Sequence, residues 1–175
     1  MTTIEQKVSY RLLLGIACAV FALDQITKTW IFQNLELGSY HPPDSIPVIE
    51  GFFYIVHIGN EGAAWGLLSG YSGWLALFAL VALVAIYKLR HSLELYRPIM
   101  QVAFGLLIGG IFGNLVDRMI HGHVIDFLDF QFPFSIPVIM PTGRYPSFNI
   151  ADAGIVVGTL LYFWVSFRQP QNPPS

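Results

Sequence analysis

The sequence predicts an all-α membrane protein with four transmembrane helices and both termini cytoplasmic. A small extracytoplasmic β-sheet is expected between helices one and two. Three observations carry this prediction. Of 175 residues, 54% are hydrophobic and only 11% charged, where a soluble domain has roughly a quarter of its residues charged. Four stretches are apolar over roughly the 20 residues that a span requires. The basic residues gather on one side of those stretches. Residues 1–175 read as one membrane domain. The net charge of −2 shows no nucleic-acid footprint. The single cysteine, Cys18, excludes an internal disulfide and reads as a small buried hydrophobe.

The first span covers about residues 12–32. Lys7 and Arg11 precede it as in a signal peptide, and the GIAC stretch at Gly15–Cys18 hints at a lipoprotein cleavage site. The apolar run before Cys18 is only Leu12–Ala17, however, and it continues to Leu23, so this span is expected to be retained. The next segment, about 36–70, contains SIPVIEGFFYIVHIGNEG, rich in β-branched and aromatic residues, and reads as short strands. Phe52, Tyr54, Val56 and Ile58 fall on one face and Phe53 and Ile55 on the other. Both faces are apolar, so the sheet belongs against the membrane surface or a lipid-bearing ligand.

The second span covers about 73–89 and the third about 98–119, joined by the basic KLRHSLELYR loop. In the third, Gly105, Gly109 and Gly113, with Gly110 beside them, make a ridge of small residues that admits a close helix neighbour. Gly122 is a natural C-terminal cap. The connection at about 122–147, proline-rich and aromatic, reads as an irregular interfacial loop. The fourth span covers about 148–167, and the tail at 169–175 reads as disordered. Lys88, Arg90, Arg97 and Arg168 place the short loop and both termini in the cytoplasm, and the two long connections outside.

Ionisable groups in a span are costly, about 2.5–3.5 kcal/mol or more at the bilayer centre, and are functional candidates by default. Asp24 and Lys28 lie four apart on one helix face and can form an ion pair that fixes packing, with substrate contact the alternative. Asn114, Asp117 and Arg118 sit on adjoining turns, where Asp117 reads as an ionised, hydrogen-bonded support. Asp126 lies past Gly122, beyond the helix or on a short continuation, with His123 three residues back as a possible partner. Asp152 lies in the first turn of span four, where an acid complements the helix dipole. Neither Asp126 nor Asp152 has a Lys or Arg within four residues.

Consecutive antiparallel spans bring Asp126 and Asp152 to the same outer level. Two close carboxylates do not both ionise easily, so one retains a proton. Such a pair can activate water with one member and polarise a carbonyl with the other. On spacing alone this catalytic reading competes with two separate structural roles. GYSG at Gly70–Gly73 is too short a pattern to indicate a serine protease, and a plain turn explains it. HGH at His121–His123, with His41, His57 and His91 scattered, offers no evident metal-ligand set. A transporter would place its ionisable groups near the midplane rather than at the outer edge.

Five motifs, in order, resemble the bacterial lipoprotein signal peptidases (signal peptidase II): LDQITK at Leu23–Lys28, NEGAAWG at Asn60–Gly66, GNLVDR at Gly113–Arg118, GHVIDF at Gly122–Phe127 and FNIAD at Phe148–Asp152. The resemblance covers roughly Leu12 to Phe167. It implies an aspartic endopeptidase of the bacterial inner membrane, active near its outer face and a target of globomycin. Such an enzyme removes the signal peptide from a diacylglyceryl-prolipoprotein, cutting before the lipid-bearing cysteine. By the same resemblance Asp126 and Asp152 are the catalytic dyad. Asp24, Lys28, Asn60, Gly62, Asn114, Asp117, Arg118, Asn149 and Ala151 support the site or touch substrate. No cofactor or metal is implied; the expected partners are the prolipoprotein and membrane lipid, with the enzyme a monomer. Trp65 stands where phenylalanine is usual, and the 127–151 connection is longer and richer in proline than the family's pattern.

Overall fold

A computed structural model describes residues 9–62 and 67–168. Among the described residues four helices form: α1 (Arg11–Asn34), α2 (Ser72–Lys88), α3 (Pro98–His121) and α4 (Ile150–Arg168). Three of them, α1, α3 and α4, are long and apolar enough to cross a membrane. Helix α2 is a shorter apolar helix of 17 residues, about 25 Å at 1.5 Å per residue. Large apolar side chains such as Leu23, Ile26, Trp74, Phe78, Leu160 and Phe167 stand exposed along these helices, as lipid-facing surfaces require. Cys18 is exposed on α1 and not buried as the sequence suggested; an apolar run in a membrane helix need not face the protein core.

Helix α3 is central, with α1 and α4 packed on it and α2 alongside. The glycine ridge explains the close approach. A Cβ on Gly109 would stand 2.6 Å from the Ala17 carbonyl of α1, and one on Gly110 would strike the Ala151 carbonyl of α4. Gly105 faces α1 and Gly113 faces both neighbours. One apolar cluster, including Leu13, Met100, Phe104 and Val165, holds the helices together at one end. At the other end Ile31, Leu35, Ile125 and Phe127 seat the sheet on α1.

The sheet has three antiparallel strands in the order β1 (Ile46–Ile49), β2 (Phe53–Asn60), β3 (Val124–Phe130). The expected sheet between helices one and two therefore exists but is incomplete without a strand from the α3–α4 connection. Gly122 does end α3, in the left-handed conformation with φ 78°. The chain then enters β3, and Asp126 lies on a strand, not on a helical continuation. Two acids within VIDFLDF weaken its strand signal in the sequence. Beyond β3 the connection is irregular apart from isolated bridges such as Gln131 with Arg144.

The simple two-face reading of β2 also fails. Ile55 pairs with Leu128 but Ile58 pairs with Asp126, so β2 carries one extra residue between them. This β-bulge shifts the side-chain phase by one, and Val56 and His57 are both buried although adjacent. Phe52 lies in the turn before the strand. The expected disorder of 169–175 and the roles of Lys7 and Trp65 fall outside the described residues.

Candidate active site

The polar residues singled out in the sequence converge where α1, α3, the start of α4 and strands β2 and β3 meet. The centre of one half is Lys28. Its ammonium stands 2.8 Å from Asp24 Oδ2, 2.8 Å from Asp117 Oδ2 and 2.9 Å from Asn114 Oδ1. Three donors meet three acceptors, all buried. The i,i+4 pair on α1 thus forms, and Lys28 also serves Asp117 from across the helix interface. Arg118 does not pair with Asp117, because successive side chains on a helix diverge. The Arg118 Nη2 instead donates to the Gly62 carbonyl at 2.8 Å.

The remaining valences of these acids anchor other elements. Asp24 Oδ1 accepts the Ala151 N–H at 2.9 Å, fixing the first turn of α4. Asp117 Oδ2 accepts the Ile125 N–H at 3.1 Å, fixing β3. Gln25, which the sequence reading passed over, donates to Asp24 and Asp117 at 3.2 and 3.0 Å. Its only sequence signal is its place beside Asp24.

Asp126 and Asp152 occupy the other half. The Asp126 carboxylate is buried and accepts Asn149 Nδ2 at 2.7 Å and Asn60 Nδ2 at 2.9 Å. His123 is not its partner, since residues three apart on an extended chain face opposite sides; the His123 ring packs against Gly59. Asn60 reaches Asp126 because of the bulge. Without the extra residue Asn60 would point to the opposite face. The Asn60 Oδ1 accepts the Gly62 N–H at 2.9 Å, which orients its amide.

Asp152 Oδ1 accepts Asn114 Nδ2 at 2.7 Å. Asn149 and Asp152 cap α4 reciprocally: the Asp152 N–H donates to Asn149 Oδ1 at 2.8 Å, and the Asn149 N–H donates to Asp152 Oδ2 at 3.3 Å. Asn149 therefore joins the two carboxylates, Asp126 through its side-chain amide and Asp152 through its backbone N–H. Asn114 links them to Lys28, accepting from the ammonium and donating to Asp152.

The four acids divide by charge. Asp24 and Asp117 share the Lys28 cation, whereas among the described residues Asp126 and Asp152 form no ion pair and are held by amides. Burial, together with the negative charge of Asp152, pushes Asp126 up to about 7, against the partial relief from Asn60, Asn149 and the more distant Lys28. A carboxyl titrating there can carry or release a proton near neutrality. Among the described residues no group of three or more His, Cys, Asp or Glu is arranged to hold a metal ion.

The sequence model of the family described as signal peptidase (SPase) II matches residues 16–168, which take in the sheet, α2, α3, α4 and all of α1 but its first turn. The chain belongs to the signal peptidase II family. A lipoprotein signal peptidase of Nostoc punctiforme is 38% identical over 166 residues, covering 93% of this chain and 94% of the relative. The lipoprotein signal peptidase of Bacillus subtilis strain 168 is 37% identical over 148 residues, covering 85% and 88%. A bacterial membrane enzyme solved in meso at 2.3 Å resolution superposes with a TM-score of 0.76 at 30% identity, covering 93% of this chain and 94% of that one. Another, solved at 1.9 Å resolution, gives 0.72 at 32% identity, covering 90% and 94%. This family member is thus a peptidase by kinship and a multi-pass membrane protein by the length and composition of its helices.

Proposed function

We propose that the protein is an aspartic endopeptidase of the bacterial inner membrane. It removes the signal peptide from diacylglyceryl-prolipoproteins, cutting before the lipid-bearing cysteine. Asp126 and Asp152 form the catalytic dyad. The observation that carries this reading is the unequal sharing of charge: Lys28, the one buried lysine among the described residues, is taken by Asp24 and Asp117, leaving the buried Asp126 and the partly buried Asp152 held by amides and joined by Asn149. The four helices each cross the membrane, with both termini cytoplasmic and the dyad near the outer face; α2 is at the short end of what spans. The substrate's lipid stays in the bilayer while its peptide enters beneath the sheet.

In the proposed reaction the ionised member of the dyad takes a proton from water as the water oxygen attacks the scissile carbonyl. The protonated member donates to the carbonyl oxygen and stabilises the tetrahedral intermediate. Collapse breaks the C–N bond, the proton gained from water passes to the leaving amine, and the second aspartate takes back its proton as the acyl carbon becomes the new carboxyl group. The pair titrates as one unit. Lys28 and Asn114 hold Asp152 in place, Asn60 and Asn149 hold Asp126, and Arg118 tethers the Gly62 segment. Inhibition by globomycin is expected on the same reading.

The test is cleavage of a diacylglyceryl-prolipoprotein by the purified full-length protein in EDTA. Activity should persist in the chelator, and Asp126→Asn or Asp152→Asn should abolish it while the protein still accumulates in the membrane. Full cleavage by either variant would refute the dyad. Asp117→Asn should instead lower folded yield or thermal stability; a stable but inactive product would move Asp117 into the catalytic group.

A further inference from the structure

Asp129 lies on β3, three residues past Asp126, and is fully buried. It has no place in the chemistry above, yet it is densely bonded. Its Oδ1 accepts the Ser147 hydroxyl at 3.0 Å. Its Oδ2 accepts Arg144 Nε at 3.0 Å and Gln131 Nε2 at 3.2 Å. The same guanidinium donates to the Tyr40 carbonyl at 3.2 Å and lies over the Tyr40 ring, 3.8 Å from its centroid. One carboxylate therefore ties β3 to the segment returning to α4 and, through Arg144, to the segment leaving α1.

The return segment needs such a tie. It runs antiparallel to β3: the Tyr145 N–H donates to the Phe130 carbonyl at 2.9 Å, and the Phe148 N–H to the Leu128 carbonyl at 3.1 Å. Between those bonds lies Pro146, which has no N–H to offer. The register also slips there, since Gln131 bridges Arg144 while Leu128 bridges Phe148, one residue out of step. The backbone ladder is firm at Phe148, whose carbonyl also accepts the Leu128 N–H at 2.9 Å and the Phe127 N–H at 3.1 Å, and is interrupted between there and Tyr145. Asp129 sits at the gap and bonds the two side chains on either side of Tyr145 and Pro146. The next residue after Phe148 is Asn149, which bonds Asp126 and caps Asp152.

We infer that Asp129 is a positioning residue: by holding Ser147 and Arg144 it locks the register of the return segment on β3, and so sets where Asn149 and Asp152 stand relative to Asp126. A slip of one residue moves the segment about 3.4 Å and reverses its side chains. The inference rests on the dyad reading above.

The test compares the purified full-length wild type with Asp129→Asn, Ser147→Ala and, as a control, Asp126→Asn, on a diacylglyceryl-prolipoprotein. Measured are kcat, KM, melting temperature and the pH profile of kcat. Asp129→Asn should lower kcat by about 100-fold and Ser147→Ala by about tenfold, as misplacement of reacting groups by an ångström does, with KM changed less than about threefold. The pH window of activity should narrow, because separated carboxylates couple less and their two titrations converge. The charged groups around the pair, Lys28 on α1 and Asp117 and Arg118 on α3, are unchanged in these variants. Wild-type kcat and pH profile in both variants, with Asp126→Asn inactive, would overturn the positioning role and leave the dyad standing. So would a kcat loss matched by loss of folded protein with an unaltered profile. If Asp129→Asn does not fold, Ser147→Ala decides, since it keeps the Asp129–Arg144 pair. Cleavage by Asp126→Asn would refute the dyad itself.

Discussion

Lys28→Met is the sharpest test of how the buried charges are organised. Methionine matches the length of lysine but donates nothing. The substitution removes three bonds of 2.8, 2.8 and 2.9 Å. Asp24 keeps the Ala151 N–H and Gln25, and Asp117 keeps the Ile125 N–H and Gln25. Each carboxylate thus retains neutral donors and loses its counter-charge. Breaking a buried ion pair from one side costs about 3–5 kcal/mol, because the partner stays buried and uncompensated. Here one lysine serves two acids, so the upper part of that range is expected. The assay is thermal or denaturant unfolding of purified protein in detergent, followed by folded yield in membranes. Adding Asp24→Asn to Lys28→Met removes one of the two stranded charges and should recover part of the loss. A Lys28→Met variant within about 0.5 kcal/mol of wild type, the range of an inert surface change, would refute the shared-cation account. So would a double variant no more stable than the single one.

Two further predictions follow from the same geometry. Asp126 is pushed up to about 7 from 3.8 by burial and Asp152, so the folded protein binds this proton more tightly than the unfolded chain. Its stabilising contribution is full below about pH 4 and is lost as pH rises through about 7. Melting temperature should therefore fall between pH 5 and pH 8, by less in Asp126→Asn, and cleavage should decline above about pH 7; a wild type that becomes more stable over that interval contradicts the assignment. In the helix interface, Gly109→Ala puts a Cβ 2.6 Å from the Ala17 carbonyl and 2.9 Å from Val20 Cβ, at a cost of about 1–3 kcal/mol. Gly122→Ala meets nothing within 4 Å and bears only its positive φ, about 1–2 kcal/mol. Melting curves in which Gly122→Ala is the more damaging would show that the glycine ridge does not set the α1–α3 distance.

Much of the fold was readable along the chain because its determinants are local. Apolar length defines a membrane helix, i,i+4 spacing pairs Asp24 with Lys28, and Gly122 stops α3 through its own backbone freedom. Membership of the family was also readable, since five short motifs in order need no coordinates. The misreadings concern long-range pairing. VIDFLDF gives a weak strand signal because two of its residues are acids, and both acids are tolerated only because partners arrive from elsewhere: Asn60 and Asn149 for Asp126, Arg144 and Ser147 for Asp129. Cys18 is exposed rather than interior because a one-dimensional apolar run does not say which side of a membrane helix faces the protein.

The chain by itself therefore determined an α-helical membrane protein, the glycine ridge and, Gln25 apart, the polar residues that gather at the candidate site. Only the tertiary structure decided how those residues divide their labour. Lys28 could have paired with any of several acids, and the helix crossings assign it to Asp24 and Asp117. Asn60 could have faced either side of its strand, and one extra residue in β2 turns it toward Asp126. The reason is physical: a buried charge is stabilised by whichever groups lie within a few ångströms, and in this site those groups come from five separate elements.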